Sequence, residues 1–176
     1  MSFMYNPFPY DDPKPVNRPE LSEKTVGAIC SGAPMAARKF VATIAGQARK
    51  EGVVVALDGY TTANWTVFIN LLARELTILG LEWETIDANK STLKDGKEID
   101  AMIDPLLIWD TKIDPTLLYG KIYKGGYKGL LDEEKVGIFR KTVPAAKAPG
   151  KVVIVYGYGC LIPELRDLYD VKCFFD

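Results

Sequence analysis

Apolar positions along this chain follow two rhythms, one helical and one continuous. Between residues 35 and 50, Ala37, Phe40, Val41, Ile44 and Ala48 fall on one stripe, while Arg38, Lys39, Gln47 and Arg49 take other faces. That 3.6-residue spacing predicts an amphipathic helix. Ser31-Gly32-Ala33-Pro34 supplies a helix start, with proline in the first turn, and Gly52 a stop. Residues 53–57 (VVVAL) are unbroken apolar and mostly β-branched, the composition of a strand buried on both faces of a parallel sheet. Asp58-Gly59 ends it. Phe68, Leu71, Leu72, Leu76 and Leu79 then return to helical spacing, closed by Gly80, and a second strand is predicted over 82–86, ending at Asp87.

The middle is less regular. A short helix is predicted over 97–103, then a Pro-, Gly- and Tyr-rich excursion to Gly129, a helix from Asp132 to about Lys141, and a loop over 144–150. Residues 151–156 (KVVIVY) form a third buried strand, followed by Gly157-Tyr158-Gly159, a helical turn over 163–168 and a last strand over 171–175. Strands alternating with helices in this way imply an α/β fold, doubly wound around a mostly parallel sheet. Residues 1–33 are set apart as a proline-rich arm, with 34–176 as the α/β domain. Five of the 11 prolines fall in the first 19 residues, where they disfavour helix and central strand. The aromatics of that stretch, Phe3, Tyr5, Phe8 and Tyr10, suggest that it packs against something.

Composition narrows the chemistry. The chain has 176 residues, 48% hydrophobic and 26% charged, with a net charge of −1. That balance provides no global positive field for nucleic acid or an anionic membrane, and no apolar run reaches the length of a membrane span. No signal peptide is read at the N-terminus, and the three scattered cysteines (Cys30, Cys160, Cys173) fit reduced thiols in the cytoplasm. There is no histidine, which removes a histidine base, a Ser-His or Cys-His dyad and histidine-ligated zinc from this chain. Asp104, Asp110 and Asp114 match no metal-ligand loop, and no metal site is assigned. Tyr119, Lys121, Tyr123, Lys124, Tyr127 and Lys128 interleave rings with cations, as single-stranded nucleic acid or a sugar phosphate would favour. At this net charge a solvated loop over a cleft is the preferred reading.

The turn after the first strand is where a parallel α/β fold gathers backbone N–H groups around phosphate. A working P-loop reads Gly, four residues, Gly-Lys, then Ser or Thr. On that template Gly59 keeps the first position and Thr66 the magnesium-binding hydroxyl, while Asn64 replaces the second glycine and Trp65 the lysine. These four are the candidate cofactor-binding residues. The loop then reads as a strand-to-helix turn that keeps its backbone shape without its ligand, with Trp65 plugging the former phosphate seat.

Farther along, strand 152–156 with Gly157, followed by Pro163-Glu164-Leu165-Arg166-Asp167-Leu168-Tyr169-Asp170 and the strand to Asp176, resembles the uridine kinase family of P-loop kinases. The stretch from Asp114-Pro115 through Tyr119-Gly120 to Leu131-Asp132-Glu133-Glu134-Lys135 also looks like that family's substrate-side segment, and the resemblance covers about 50–176. It implies a strand order of 2-3-1-4, which leaves the last strand as an open edge for a following domain or partner chain. It also implies Asp87 as the catalytic aspartate that activates a substrate hydroxyl, with helix capping as the alternative role. Against activity stand Trp65 for the lysine, Tyr156 for the third-strand glutamate, the side chains of Tyr60, Thr62 and Asn64 in the loop, Asp58 at the mouth of the cradle, and an end before any arginine lid or fifth strand. Arg166 and Asp167 are expected to pair with each other within their turn.

With its proline-rich arm, the chain also looks like the N-terminal kinase-like region of some long type I mannose-6-phosphate isomerases. The expectation is a catalytically impaired kinase-like module without a cofactor, accessory to a sugar-phosphate-metabolising protein. The alternative is an active ATP- and magnesium-dependent nucleoside or small-metabolite kinase. A third reading is a nucleoside or sugar-phosphate sensor using a cleft near Asp87, Tyr119 and Tyr123.

Overall fold

A computed structural model describes residues 20–60, 63–110, 112–113, 120–121 and 123–175. The proline-rich 1–19 stretch, Thr61, Thr62, Asp114, Tyr119 and Asp176 lie outside them. The strands are β1 (Val53–Gly59), β2 (Glu82–Asp87), β3 (Lys151–Tyr156) and β4 (Val171–Phe175). All pair in parallel, in the order β2-β3-β1-β4 expected from the sequence. Central β1 is buried from Val53 through Asp58. It runs two residues past its apolar stretch because β4 pairs with it to the end, Asp58 opposite Phe174 and Gly59 opposite Phe175.

Helices cover both faces. On one lie α2 (Ala33–Glu51) and α3 (Trp65–Ile78). α2 buries Ala37, Val41, Ile44, Ala45 and Ala48, and α3 buries Ile69, Leu72 and Leu76, against Val53, Val55 and Leu57 of the sheet. The short α1 (Glu23–Ala28) precedes them, inside the stretch the sequence sets apart as an arm. Lys39 of α2 donates to the Ala28 carbonyl at its end (3.1 Å). On the other face, α4 (Ala88–Thr92), α6 (Glu133–Ala146) and the chain after β3 cover Val54, Ala56, Val153 and Val155. α5 (Gly96–Ile103) leads into the excursion toward residue 130. α6 continues through Pro144, past the predicted end at 141. A proline in the last turn forfeits a single backbone bond, and buried Val143 holds that turn against the sheet.

The Pro163-to-Asp170 segment is pinned at each of its acids. Asp167 is gripped by the two guanidinium nitrogens of Arg140 on α6, at 2.9 and 2.6 Å, which corrects the expected pairing with its neighbour Arg166. Arg140 reaches it because the turn packs on α6, and the bidentate guanidinium of Arg140 takes both carboxylate oxygens. Asp170 accepts from the Val54 N–H (2.8 Å) and from Lys147 (2.9 Å), while its own N–H donates to the Val54 carbonyl (2.9 Å). That exchange sets the entry of β4 beside β1. Replacing Asp170 with alanine strands the Val54 N–H and the Lys147 ammonium, so a urea melt of D170A is expected to show a loss of about 1–3 kcal/mol.

Candidate functional site

The carboxyl ends of the four strands form one edge of the sheet, where an α/β fold places its ligands. At the end of β1, Asp58 is buried, 6% exposed. The sequence reading put its charge at the mouth of a phosphate cradle. The side chain instead turns across the sheet into the loop after β3. One carboxylate oxygen accepts from the Gly59 N–H (2.8 Å) and the Gly159 N–H (2.9 Å), the other from the Leu161 N–H (2.8 Å). A buried carboxylate has to be met by donors. Here backbone amides meet it, because Gly159 has φ +69°, a conformation that turns the chain back over the strand end.

A second network fastens the Tyr-Gly segment to this loop. Asn89, in the first turn of α4, donates to the Tyr127 hydroxyl oxygen (2.7 Å) and the Tyr158 carbonyl (2.9 Å), and accepts from the Tyr158 N–H (2.9 Å). The Tyr127 hydroxyl donates to the Tyr158 carbonyl. The Tyr127 ring lies so close over Gly159 that a Cβ there would meet ring carbon at 2.6 Å. Burial pushes the Tyr127 phenol up to about 12, with Asp58 and Cys160 adding to it. Burial also pushes the Cys160 thiol up, Asp58 reinforcing it, so Cys160 is set against acting as a nucleophile.

The candidate phosphate loop lies across the same edge. Gly59 fits close against β4, where a Cβ would meet the Phe175 carbonyl oxygen at 2.7 Å. Its N–H is taken by Asp58, the Tyr60 N–H by the Phe175 carbonyl (3.3 Å), and the Ala63 N–H by the Tyr60 carbonyl (2.9 Å). Asn64 caps α3, accepting from the Val67 N–H (3.4 Å). Trp65 starts the helix with its ring against Tyr158, centroids 4.6 Å apart, and near Tyr156 at 6.4 Å. Its indole nitrogen is buried. Thr66 is exposed. Gly59, Asn64, Trp65 and Thr66 thus lie along the junction between β1 and α3.

Asp87 ends β2 and caps α4, accepting from the Lys90 N–H (3.0 Å) with the Lys90 ammonium 3.7 Å away. This is the capping role the sequence left open beside that of a base. Tyr123 is packed onto Gly125 and Gly129. The sequence reading missed Asn89 altogether: a lone Asn after Asp carries no motif, and only the fold brings it to Tyr127 and Tyr158. Among the described residues, no cluster of three or more Cys, Asp or Glu side chains is placed to hold a metal ion, and no helix is long and apolar enough to cross a membrane.

Residues 37–176 match a family described as a domain of unknown function (DUF8485), and the chain belongs to that family. No curated protein is significantly similar. The fold is similar to the crystal structure of a "putative fructose transport system kinase" from Silicibacter sp. TM1040 (TM-score 0.53, 17% identity, covering 84% of this chain and 75% of that one). At that identity the likeness concerns the fold: a kinase-like α/β architecture.

The networks at this edge make two outcomes testable. Asp58→Asn turns one acceptor into a donor facing a backbone N–H, and chemical denaturation is expected to show a cost of about 1–3 kcal/mol. For Tyr127 the folded pKa is raised above the ordinary tyrosine value. Its contribution is present in full below pH 10 and lost as pH rises through about 12. Melts between pH 9 and 12 should fall more steeply for the parent than for Tyr127→Phe.

Proposed function

We propose that this kinase-like domain is a non-catalytic module that holds no Mg-ATP, accessory to a larger sugar-phosphate-metabolising assembly. The observation that carries the reading is Trp65 packed on Tyr158 at the position the P-loop template gives to lysine. Phosphoryl transfer depends on positive charge and free backbone donors around the β- and γ-phosphates. An indole supplies no charge, and the N–H groups of Gly59, Tyr60 and Ala63 are already bonded within the chain. The residues present thus do not fit a nucleoside triphosphate. Asp87 belongs with this reading as a helix cap, since its carboxylate already serves the first turn of α4.

The accessory role is supported by the edges of the sheet. Among the described residues β4 is paired on one side only, and exposed Phe174 stacks edge-on against exposed Tyr60 beside it, ring centroids 5.5 Å apart. An open edge flanked by apolar rings is what a following domain or a partner chain covers. The sugar-phosphate context draws on the structural neighbour's description as a fructose transport system kinase and on the sequence resemblance to kinase-like regions of mannose-6-phosphate isomerases.

Calorimetric titration with ATP and magnesium tests the reading. No saturable heat is expected at millimolar ATP from the parent, and a W65K variant combined with N64G is expected to gain detectable binding. Micromolar, magnesium-dependent binding by the parent would overturn it in favour of an active kinase.

A further inference from the structure

A cleft of about 630 Å³ opens between the α4–α5 turn, the start of α6 and the loop after β3. Its volume is in the range of small-molecule sites, and it shares no residue with the 59–66 loop. The walls are stitched together: Leu93 and Leu131 form an antiparallel bridge, the Lys94 N–H donates to the Leu130 carbonyl (3.0 Å) and the Asp132 N–H to the Thr92 carbonyl (2.9 Å). The site is therefore formed before any ligand arrives. Leu131 and Val136 give it an apolar floor.

The charges around this floor do not balance. Lys94, Lys128, Glu98, Asp132, Glu133 and Glu164 all line the cleft, four carboxylates against two ammonium groups. Both lysines are already engaged, Lys94 with Glu98 at 2.7 Å and Lys128 with Glu164 at 3.7 Å. Asp132 uses one oxygen to cap α6 through the Lys135 N–H (3.0 Å). A phosphorylated ligand would enter against this excess of negative charge. A molecule whose separated ammonium groups meet the carboxylates, and whose methylenes cover Leu131 and Val136, satisfies both the charge and the floor.

We infer that this cleft is a binding site for an aliphatic polyamine. The test is a thermal-shift and calorimetric titration of the whole chain with spermidine at about 0.15 M salt, where unspecific surface attraction is screened over roughly 8 Å. Saturable binding is expected, with a rise in Tm of about 3–6 °C at ten times Kd. Glu98→Gln with Glu133→Gln is expected to weaken it about tenfold or more, and single Glu133→Lys to weaken it as well. Both carboxylates belong to exposed residues, so these variants keep the fold. No saturable binding, unchanged affinity in both variants, or an equal saturable shift with magnesium chloride would each overturn the inference. The ATP titration reads a different loop, so either proposal can fail without the other.

Discussion

The carboxylate of Asp58 is the constraint around which the strand ends are arranged. It belongs to the central strand, is buried, and draws its donors from Gly59, Gly159 and Leu161, so it joins the end of β1 to the loop after β3. A buried carboxylate without partners would be costly, and backbone N–H groups aimed at it are an effective replacement for water. The loop must therefore fold over the strand end in one way. Gly159 permits the turn, and its missing side chain leaves room for the Tyr127 ring.

Around that carboxylate, glycine and aromatic residues interlock. Tyr127 sits on Gly159 and Tyr123 on Gly125 and Gly129, so the Tyr-Gly excursion is anchored by close packing as well as by the bonds through Asn89. The Pro163-to-Asp170 segment resembles a kinase family, and its acids hold the fold together: Asp167 on Arg140, Asp170 on Val54 and Lys147, Glu164 beside Lys128. The acids of that segment thus serve the architecture of the domain. Fold and function are separable in this way because function rests on particular side chains grafted onto a shared scaffold.

The two ends of the site differ in character. Around Trp65, aromatic rings pack on one another and the N–H groups of Gly59, Tyr60 and Ala63 are bonded within the chain. Across the edge, beyond Tyr127, the cleft beside α6 is open, walled by rigid backbone and weighted toward carboxylates.

Periodicity and apolar content alone were enough for the class of fold. The continuous Val53-to-Leu57 and Lys151-to-Tyr156 runs can only be satisfied by burial on both faces, and the α2 stripe needs one apolar partner. The turn from β1 into α3 was also legible, because its spacing is local and a strand-to-helix turn keeps neighbours in sequence close in space. The roles of Asp58, Asn89 and Asp167 were not. Each is decided by a partner far away in the chain: Asp58 by amides 101 and 103 residues on, Asn89 by Tyr158 69 residues on, Asp167 by Arg140 27 residues back. A polar side chain at a strand end can face outward to a ligand or inward to backbone, and its own sequence fits both. Only the packing of α6 and the loop after β3 against the sheet decides, by fixing where the unsatisfied donors lie.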